Sequence, residues 1–460
     1  MTEEAGNEYA ESSGLAWRRL HPLTPLLRSG RMLAVLLIAF SPQAVQDGTA
    51  GFLLWGLLVA LPVFAVFAYL SWRRMRFVVD GGDLRVESGV LLHRSRRVPL
   101  VRIQAIDVVR PLLVRALGLA ELRLEVVGGG SAEAPLAYLR EPEAAALRVE
   151  LLAVARGETS PAASSASVSG AAAFGGAPSV ADAPAPPPVT TPLVNVPPGA
   201  LIGSMLLDAR VMIPVLFMLL TLVSAFVLPA EATGGLFATT FGSGVAVFEL
   251  VRRRLLAEWG FTVLESPDGL VLQHGLTETR SQTVPEGRVQ GVRIVSPWLW
   301  RWRGWSRVEI DVAGYGGSRQ ALQTSTLLPV APHVLAQALV SRVLGAAPAV
   351  ELKRPPGRAR WLSPLAFSVL GVGADDRFVV TRNGWLRHDT AVVPLAKVQG
   401  FRWEQGPLQR RLRLATVHLA TAGHDVHAIA LHRDAVEARA LMEELTSRAR
   451  LRRRTKSLRG

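Results

Sequence analysis

The sequence predicts an α+β protein with transmembrane helices: three repeats of short strands, each closed by a C-terminal helix, plus about four apolar spans in two hairpins. Three observations carry this expectation. First, one motif occurs three times: Val-Pro, two free positions, a basic residue, a β-branched residue, Gln, a small residue and an apolar one. The copies run from Val98 to Ile106, Val284 to Val292 and Val393 to Phe401, which sets Pro99 and Gln104, Pro285 and Gln290, and Pro394 and Gln399 at matching places. Three matches in the same order mark a triplicated unit. Second, a proline follows each Gln after seven or eight residues (Pro111, Pro297, Pro407), and a strand-like alternating run follows each proline: Glu121 to Val127, Arg307 to Ala313 and Ala415 to Thr421. Third, apolar stretches bounded by arginines precede the first two copies.

Residues 1–27 are a polar N-terminus. In the first hairpin, 28–72, the chain is apolar from Met32 to Phe40 and on to about Val45. A loop with Asp47 and no basic residue follows, and 51–72 carries no charge before Arg73, Arg74 and Arg76. Basic ends and a non-basic loop put both ends of this hairpin in the cytoplasm. The first repeat, 73–156, has strand candidates at Phe77 to Val79, Leu84 to Val86 and Val90 to Leu92, and a helix from Glu143 to Ala155 with Pro142 at its start. Residues 157–200 are an Ala/Ser/Pro linker to which the composition assigns no fold.

The second hairpin, 201–254, reads as spans from Val211 to Leu228 and around Leu236 to Phe248, joined near Glu231 and closed by Arg252, Arg253 and Arg254. The second repeat, 255–346, ends in a helix from about Pro332 to Leu344 stopped by Gly345. After a linker, 347–358, the third repeat, 359–447, has a lead-in from Trp361 to Gly373 that is too short to span and a helix from about Asp434 to Arg448; a basic tail, 448–460, follows.

Fifty-one basic residues against 37 acidic ones give a net charge of +14, which calls for an anionic partner surface. The apolar runs favour an anionic phospholipid bilayer; no recognisable module supports nucleic acid. With no cysteine, disulfides, thiolate metal sites and cysteine nucleophiles are excluded. Gly242-Ser243-Gly244 invites a serine-protease reading, but no histidine falls in the expected spans to act as base, and small residues at a helix contact explain it better. His418, His424, His427 and His432 lie close in sequence without an acidic co-ligand except Asp425, so solvated strand histidines are favoured over a metal site. The glycine runs at 128–130 and 314–317 precede no Lys-Ser/Thr and read as turns. No catalytic constellation and no cofactor site emerges: the expectation is a protein that is not an enzyme.

The motif Val-Pro-x-x-[Arg/Lys]-[Ile/Val]-Gln, the apolar hairpins and the opening Leu20-His21-Pro22 resemble bacterial membrane-flanked pleckstrin-homology-like proteins of the YdbT kind. The resemblance covers nearly the whole chain apart from residues 1–16, the linker and the tail. It implies a pleckstrin-homology (PH)-like β-barrel in each repeat, a bacterial inner-membrane location with PH-like domains and both termini cytoplasmic, and a shorter single-domain relative as companion. The third repeat departs from it by lacking a hairpin of its own.

Three basic or aromatic clusters are candidate anionic-lipid contacts. Trp298, Trp300, Trp302 and Trp305 interleave with Arg301, Arg303 and Arg307, a composition suited to the headgroup layer; the competing reading is that alternate tryptophans fill the core, as Leu112, Val114 and Ala116 would at the same places in the first repeat. Arg94, Arg96 and Arg97 fall where PH domains commonly hold anionic headgroups, and a plain solvated basic turn is the alternative. The tail contributes Arg448, Arg450, Arg452, Arg453 and Arg454. Together these readings predict a membrane-anchored scaffold for other membrane proteins, in envelope maintenance or defence. The alternatives are an anionic-lipid sensing or handling module and, less favoured, a transporter subunit.

Overall fold

The first two repeats each open with a strand that lies ahead of a long intervening segment. In the computed structural model the described residues are 18–19, 21–22, 24, 62, 66, 69–80, 83–88, 94–100, 103–126, 134–155, 191–224, 230–267, 269–285, 287–312, 326–423 and 426–457. They form two units, 1–184 and 185–460. In the first unit, β1 (Arg18–Arg19) pairs with β2 (Arg76–Asp80), Arg18 opposite Phe77, so the intervening segment interrupts the repeat. The strands β3 (Asp83–Ser88) and β4 (Arg94–Pro99) complete an antiparallel sheet in the order β1-β2-β3-β4. Then come β5 (Ile103–Pro111), the short helix α1 (Leu112–Ala116), β6 (Leu119–Val126), β7 (Ala134–Arg140) and α2 (Glu141–Ala155). Ala144, Leu147 and Leu151, spaced three and four apart, form one face of α2 and pack on Phe77, Leu84, Leu122 and Leu124.

The second unit repeats the pattern. Its first strand, β8 (Thr191–Asn195), lies in the stretch expected to be linker, and it pairs with β9 across three helices. These are α3 (Pro198–Leu206), begun by proline at its first turn, α4 (Ala209–Ser224) and α5 (Ala230–Glu258). After them come β9 (Thr262–Ser266), β10 (Gly269–His274), β11 (Glu278–Val284), β12 (Val289–Pro297), α6 (Trp298–Trp302), β13 (Trp305–Val312), β14 (Thr326–Pro332) and α7 (His333–Leu344). The third repeat opens with a bridge between Lys353 and Val372 and fills the place of the helices with a 3-10 turn, Gly357–Trp361. It continues through β15 (Gly371–Ala374), β16 (Phe378–Asn383), β17 (Arg387–Pro394), β18 (Val398–Glu404), α8 (Pro407–Arg411), β19 (Leu414–Thr421), β20 (Ala428–Asp434) and α9 (Ala435–Ser457).

Two details recur in all three copies. A bulge at the start of β5, β12 and β18 skips one residue in the register, and that residue is the motif glutamine: Gln104, Gln290, Gln399. Fourteen residues later the chain turns left-handed at Gly118, Gly304 and Arg413. The carbonyl of each accepts the first N–H of the closing helix, from Glu141 (3.1 Å), His333 (2.7 Å) and Ala435 (3.0 Å). A turn whose carbonyl satisfies an otherwise orphan helix N–H fixes where that helix starts.

The expected fold class needs two corrections. The sheets are not closed barrels: in the second unit β12 pairs antiparallel with β17, Val292 opposite Val392, giving a six-stranded sheet in the order β14-β13-β12-β17-β16-β15. The sheet edge that a barrel would close on itself is taken up by the next repeat, which removes the exposed edge equally well. The second expected transmembrane hairpin, 201–254, is corrected as well. Among the described residues no single helix is long and apolar enough to cross a membrane; α3 and α4 reach the required length and hydropathy only as a pair bent by 57°. The 29-residue α5 is long enough but rich in glycine and threonine, with Glu231 and Glu249 inside it. Most of 28–72 lies outside the described residues.

Candidate anion-binding cleft

Asp208 sets the geometry at the root of the helical insertion. Its side chain accepts the N–H of Arg210 (3.0 Å) and its carbonyl accepts those of Val211 and Met212 (2.9 Å each), starting α4 as a short acidic cap should. From the far end of α5, Arg254 returns to Asp208 (2.9 Å) and to Glu258 (3.2 Å). Glu258 also meets Arg307 of β13 at 2.7 Å, and Arg307 continues to Glu309 at 3.1 Å. Burial pushes the Glu258 carboxyl up, but Arg307 and Arg254 outweigh it and hold it below the ordinary value. The same two acids, Glu258 and Glu309, overcome burial to keep Arg307 firmly charged.

Where β12 and β17 pair, Arg293 binds Asp389 (2.7 Å from Nε) and reaches Glu309 at 3.5 Å. Two residues before Asp389, Arg387 is half-buried. Its Nε is buried without a hydrogen-bond partner among the described residues. Burial first, then Arg293, lowers its pKa. Trp298, whose backbone N–H donates to the Leu386 carbonyl (2.7 Å), and Trp300 complete the wall. The enclosed space is a cleft of about 410 Å³, within the roughly 300–1,000 Å³ typical of small-ligand sites.

Next to this cleft the helical insertion is apolar on its outside. Ile213, Leu216, Leu220 and Val223 of α4, and Phe241, Val245 and Phe248 of α5, are exposed, and Val211 and Thr221 are the buried residues of α4. The two helices pack on each other near Gly244, where an added Cβ would stand 3.9 Å from Met218 Sδ. Ser243 donates to the Thr240 carbonyl (2.8 Å) within α5.

The tryptophan cluster splits between the two readings of it. Trp300 is a core residue, 1% exposed, and its indole N–H donates to the Ser204 carbonyl of α3 (2.9 Å). Trp302 is 87% exposed and Trp298 46%. Arg301 contacts His388, and Arg303 lies over the Trp305 ring at 5.8 Å. Arg94, Arg96 and Arg97 belong to β4 itself, with Arg96 and Arg97 exposed. The tail arginines continue α9: Arg448 pairs with Glu444 (2.5 Å), Arg450 is exposed, and Arg452, Arg453 and Arg454 fall in the last turns of the helix. Pro99 and Pro394 are the last residues of β4 and β17, and Pro285 directly follows β11. Gln290 is buried and donates to the Arg288 carbonyl (2.9 Å), whereas Gln399 is exposed. Sequence reasoning had Arg254 closing the second hairpin and Arg307 in the basic and aromatic cluster, but it missed Arg387 and the cleft that the three line. Glu258 joins Arg254 to Arg307 within the second repeat, and the pairing of β12 with β17, strands about ninety residues apart, adds Arg387; no local pattern announces that pairing.

Comparison with known proteins follows the repeats. The family model for the bacterial PH domain matches three times, over residues 32–155, 211–347 and 334–449. The transmembrane protein YdbT of Bacillus subtilis is 30% identical over 76 residues, 16% of this chain and 15% of the length of that protein.

Proposed function

The chain belongs to the bacterial PH domain family, and on that premise we propose that it is a membrane-associated, non-catalytic binding protein that presents linked PH-like repeats at the face of a bilayer. The observation that carries this reading is the exposed apolar surface of α4 and α5 directly beside Arg210, Arg252 and Arg253. Contiguous exposed apolar surface of that kind is costly in water, and a basic margin suits anionic phospholipid headgroups. The similarity to a protein named as transmembrane supports the same location. In this reading the repeats face the cytoplasm of a bacterium and hold other membrane proteins, a single-domain relative among them, with no nucleic-acid partner. The exposed Trp298 and Trp302 favour direct lipid contact as part of the job.

Cell fractionation tests it. The full chain is expected in the membrane fraction and to stay there through a high-salt wash, because apolar contact is not screened. Replacing Ile213, Leu216 and Leu220 together with serine should release it. A wild-type chain found in the soluble fraction would sink the reading.

A further inference from the structure

The ion pairs at the root of the insertion leave two of the cleft's arginines, Arg387 and Arg210, without a carboxylate partner among the described residues. Arg254 and Arg307 are matched by Asp208, Glu258 and Glu309, and Arg293 by Asp389. Arg387 lines the same cleft, half-buried, with no ion pair among the described residues and with its Nε unsatisfied. The charged groups that act on it are Arg293 and Arg210 on one side, Asp389 and Glu309 on the other. Burying a guanidinium without an acceptor is unfavourable, so such a group calls for an anion that the protein itself does not supply. Arg210, exposed at the mouth where α4 begins, gives a second cation with no carboxylate on its side chain among the described residues.

We propose that this cleft binds a phosphate group, gripped by Arg387 from within and Arg210 at the mouth, with Trp298 as its apolar wall. Arginine presents a planar fork of donors that suits phosphate oxygens. The apolar surface of α4 starts within a turn of Arg210, so a lipid phosphate entering from the bilayer face meets the cleft while its chains stay on that surface. The choice of a lipid over a soluble phosphate rests on the membrane-associated reading above; the cleft itself does not.

The test uses the full chain in detergent, titrated with dioctanoyl phosphatidic acid, with inorganic phosphate, and with dioctanoylglycerol as the phosphate-free control. Tryptophan fluorescence and thermal unfolding are the readouts. Phosphatidic acid should bind and raise the melting temperature, and dioctanoylglycerol should do neither. Arg387→Met should weaken binding about tenfold or more, as loss of charge-assisted hydrogen bonds does, and should raise the melting temperature of the ligand-free protein by removing an uncompensated buried charge. Arg210→Gln should weaken binding while leaving ligand-free stability unchanged. Inorganic phosphate binding as tightly as phosphatidic acid would keep the site and make its source soluble. Unchanged binding by Arg387→Met, or no binding of either phosphate compound, would overturn the site without touching the fractionation result. A lower ligand-free melting temperature for Arg387→Met would likewise overturn it, by showing that the charge already has its partner.

Discussion

The second and third repeats share a strand order and solve one problem in opposite chemistry. Each must tie the segment between its first and second strands to the short helix that follows the bulge. The second repeat does so with a buried indole: Trp300 of α6 reaches the Ser204 carbonyl in α3 and packs in the core beside Leu201 and Met205. In the third, the matching residue is Gln409 of α8. It donates to Thr416 Oγ1 (2.9 Å) and meets His432 Nδ1 (3.0 Å), and His432 Nε2 reaches Ser363 Oγ (3.0 Å) in the short segment that replaces the helices. A large helical insertion is thus held by apolar burial and a small one by a polar chain. Where the insertion offers apolar surface an aromatic is the stronger anchor; where it does not, hydrogen bonds must suffice.

The contrast is sharpest under deletion. Trp300→Ala should destabilise the protein by about 3–5 kcal/mol, measured by denaturant unfolding of the full chain, and should loosen α3 as seen by proteolysis. Gln409→Ala should cost about 1–2 kcal/mol, since it removes hydrogen bonds but little buried volume. Equal effects at the two positions would mean that the two anchors do not differ in kind.

Acid should act more gently, and on the polar anchor. Because Gln409 donates through its amide, His432 Nδ1 accepts, and its Nε2–H is the donor to Ser363; this is the neutral ring. Burial lowers the His432 pKa below its ordinary 6.5. A histidine depressed in the folded state is protonated more readily when unfolded, so its contribution is whole above the unfolded value and fades as pH falls from about 6.5 through the folded one. Stability should therefore drop between pH 7.5 and 5.5, and His432→Gln should flatten that part of the profile. His274, whose pKa is likewise lowered by burial beneath its contact with the Ala257 carbonyl (2.7 Å), will keep a residual slope in the variant. A profile as steep in His432→Gln as in the wild type would remove the polar chain from the account.

The triplication was legible because its markers are fixed by backbone geometry. The glutamine occupies a bulge and the position fourteen residues on is left-handed, so insertion or loss of one residue between them would break the turn. Proline was a less faithful guide. Pro111 and Pro297 precede their short helices, whereas Pro407 is the first residue of α8 and Gly406 holds the matching place; both sites tolerate a residue without an N–H. Strand β8 was hidden in a low-complexity stretch because its partner β9 lies beyond three helices and only Val194 is buried. The union of β12 with β17 was not legible at all. Nothing local to Val292 or Val392 says whether an edge closes on its own repeat or on the next, and the cleft with Arg387 depends on that choice.

The smallest expected effect concerns the left-handed turn itself. Gly304 has φ 64°, and its place in the third repeat is taken by Arg413 at φ 52°. Both carbonyls accept the first helical N–H, so the conformation is required in each. For a residue with a Cβ that conformation costs roughly 1–2 kcal/mol. No atom lies within 4 Å of a Cβ built on Gly304, so Gly304→Ala isolates the backbone cost without a clash. It should destabilise by about 1 kcal/mol. The reverse change, Arg413→Gly, relieves the same strain but frees the unfolded chain, which offsets about 0.5–1 kcal/mol of the gain. Part of what remains goes with the guanidinium and its packing, so the net should be a stabilisation of a few tenths of a kcal/mol at most. Thermal unfolding of the two variants side by side resolves the difference in sign. Stabilisation by Gly304→Ala would show that the second repeat does not need its turn to be left-handed, and the equivalence of the two closing helices would then rest on sequence position alone.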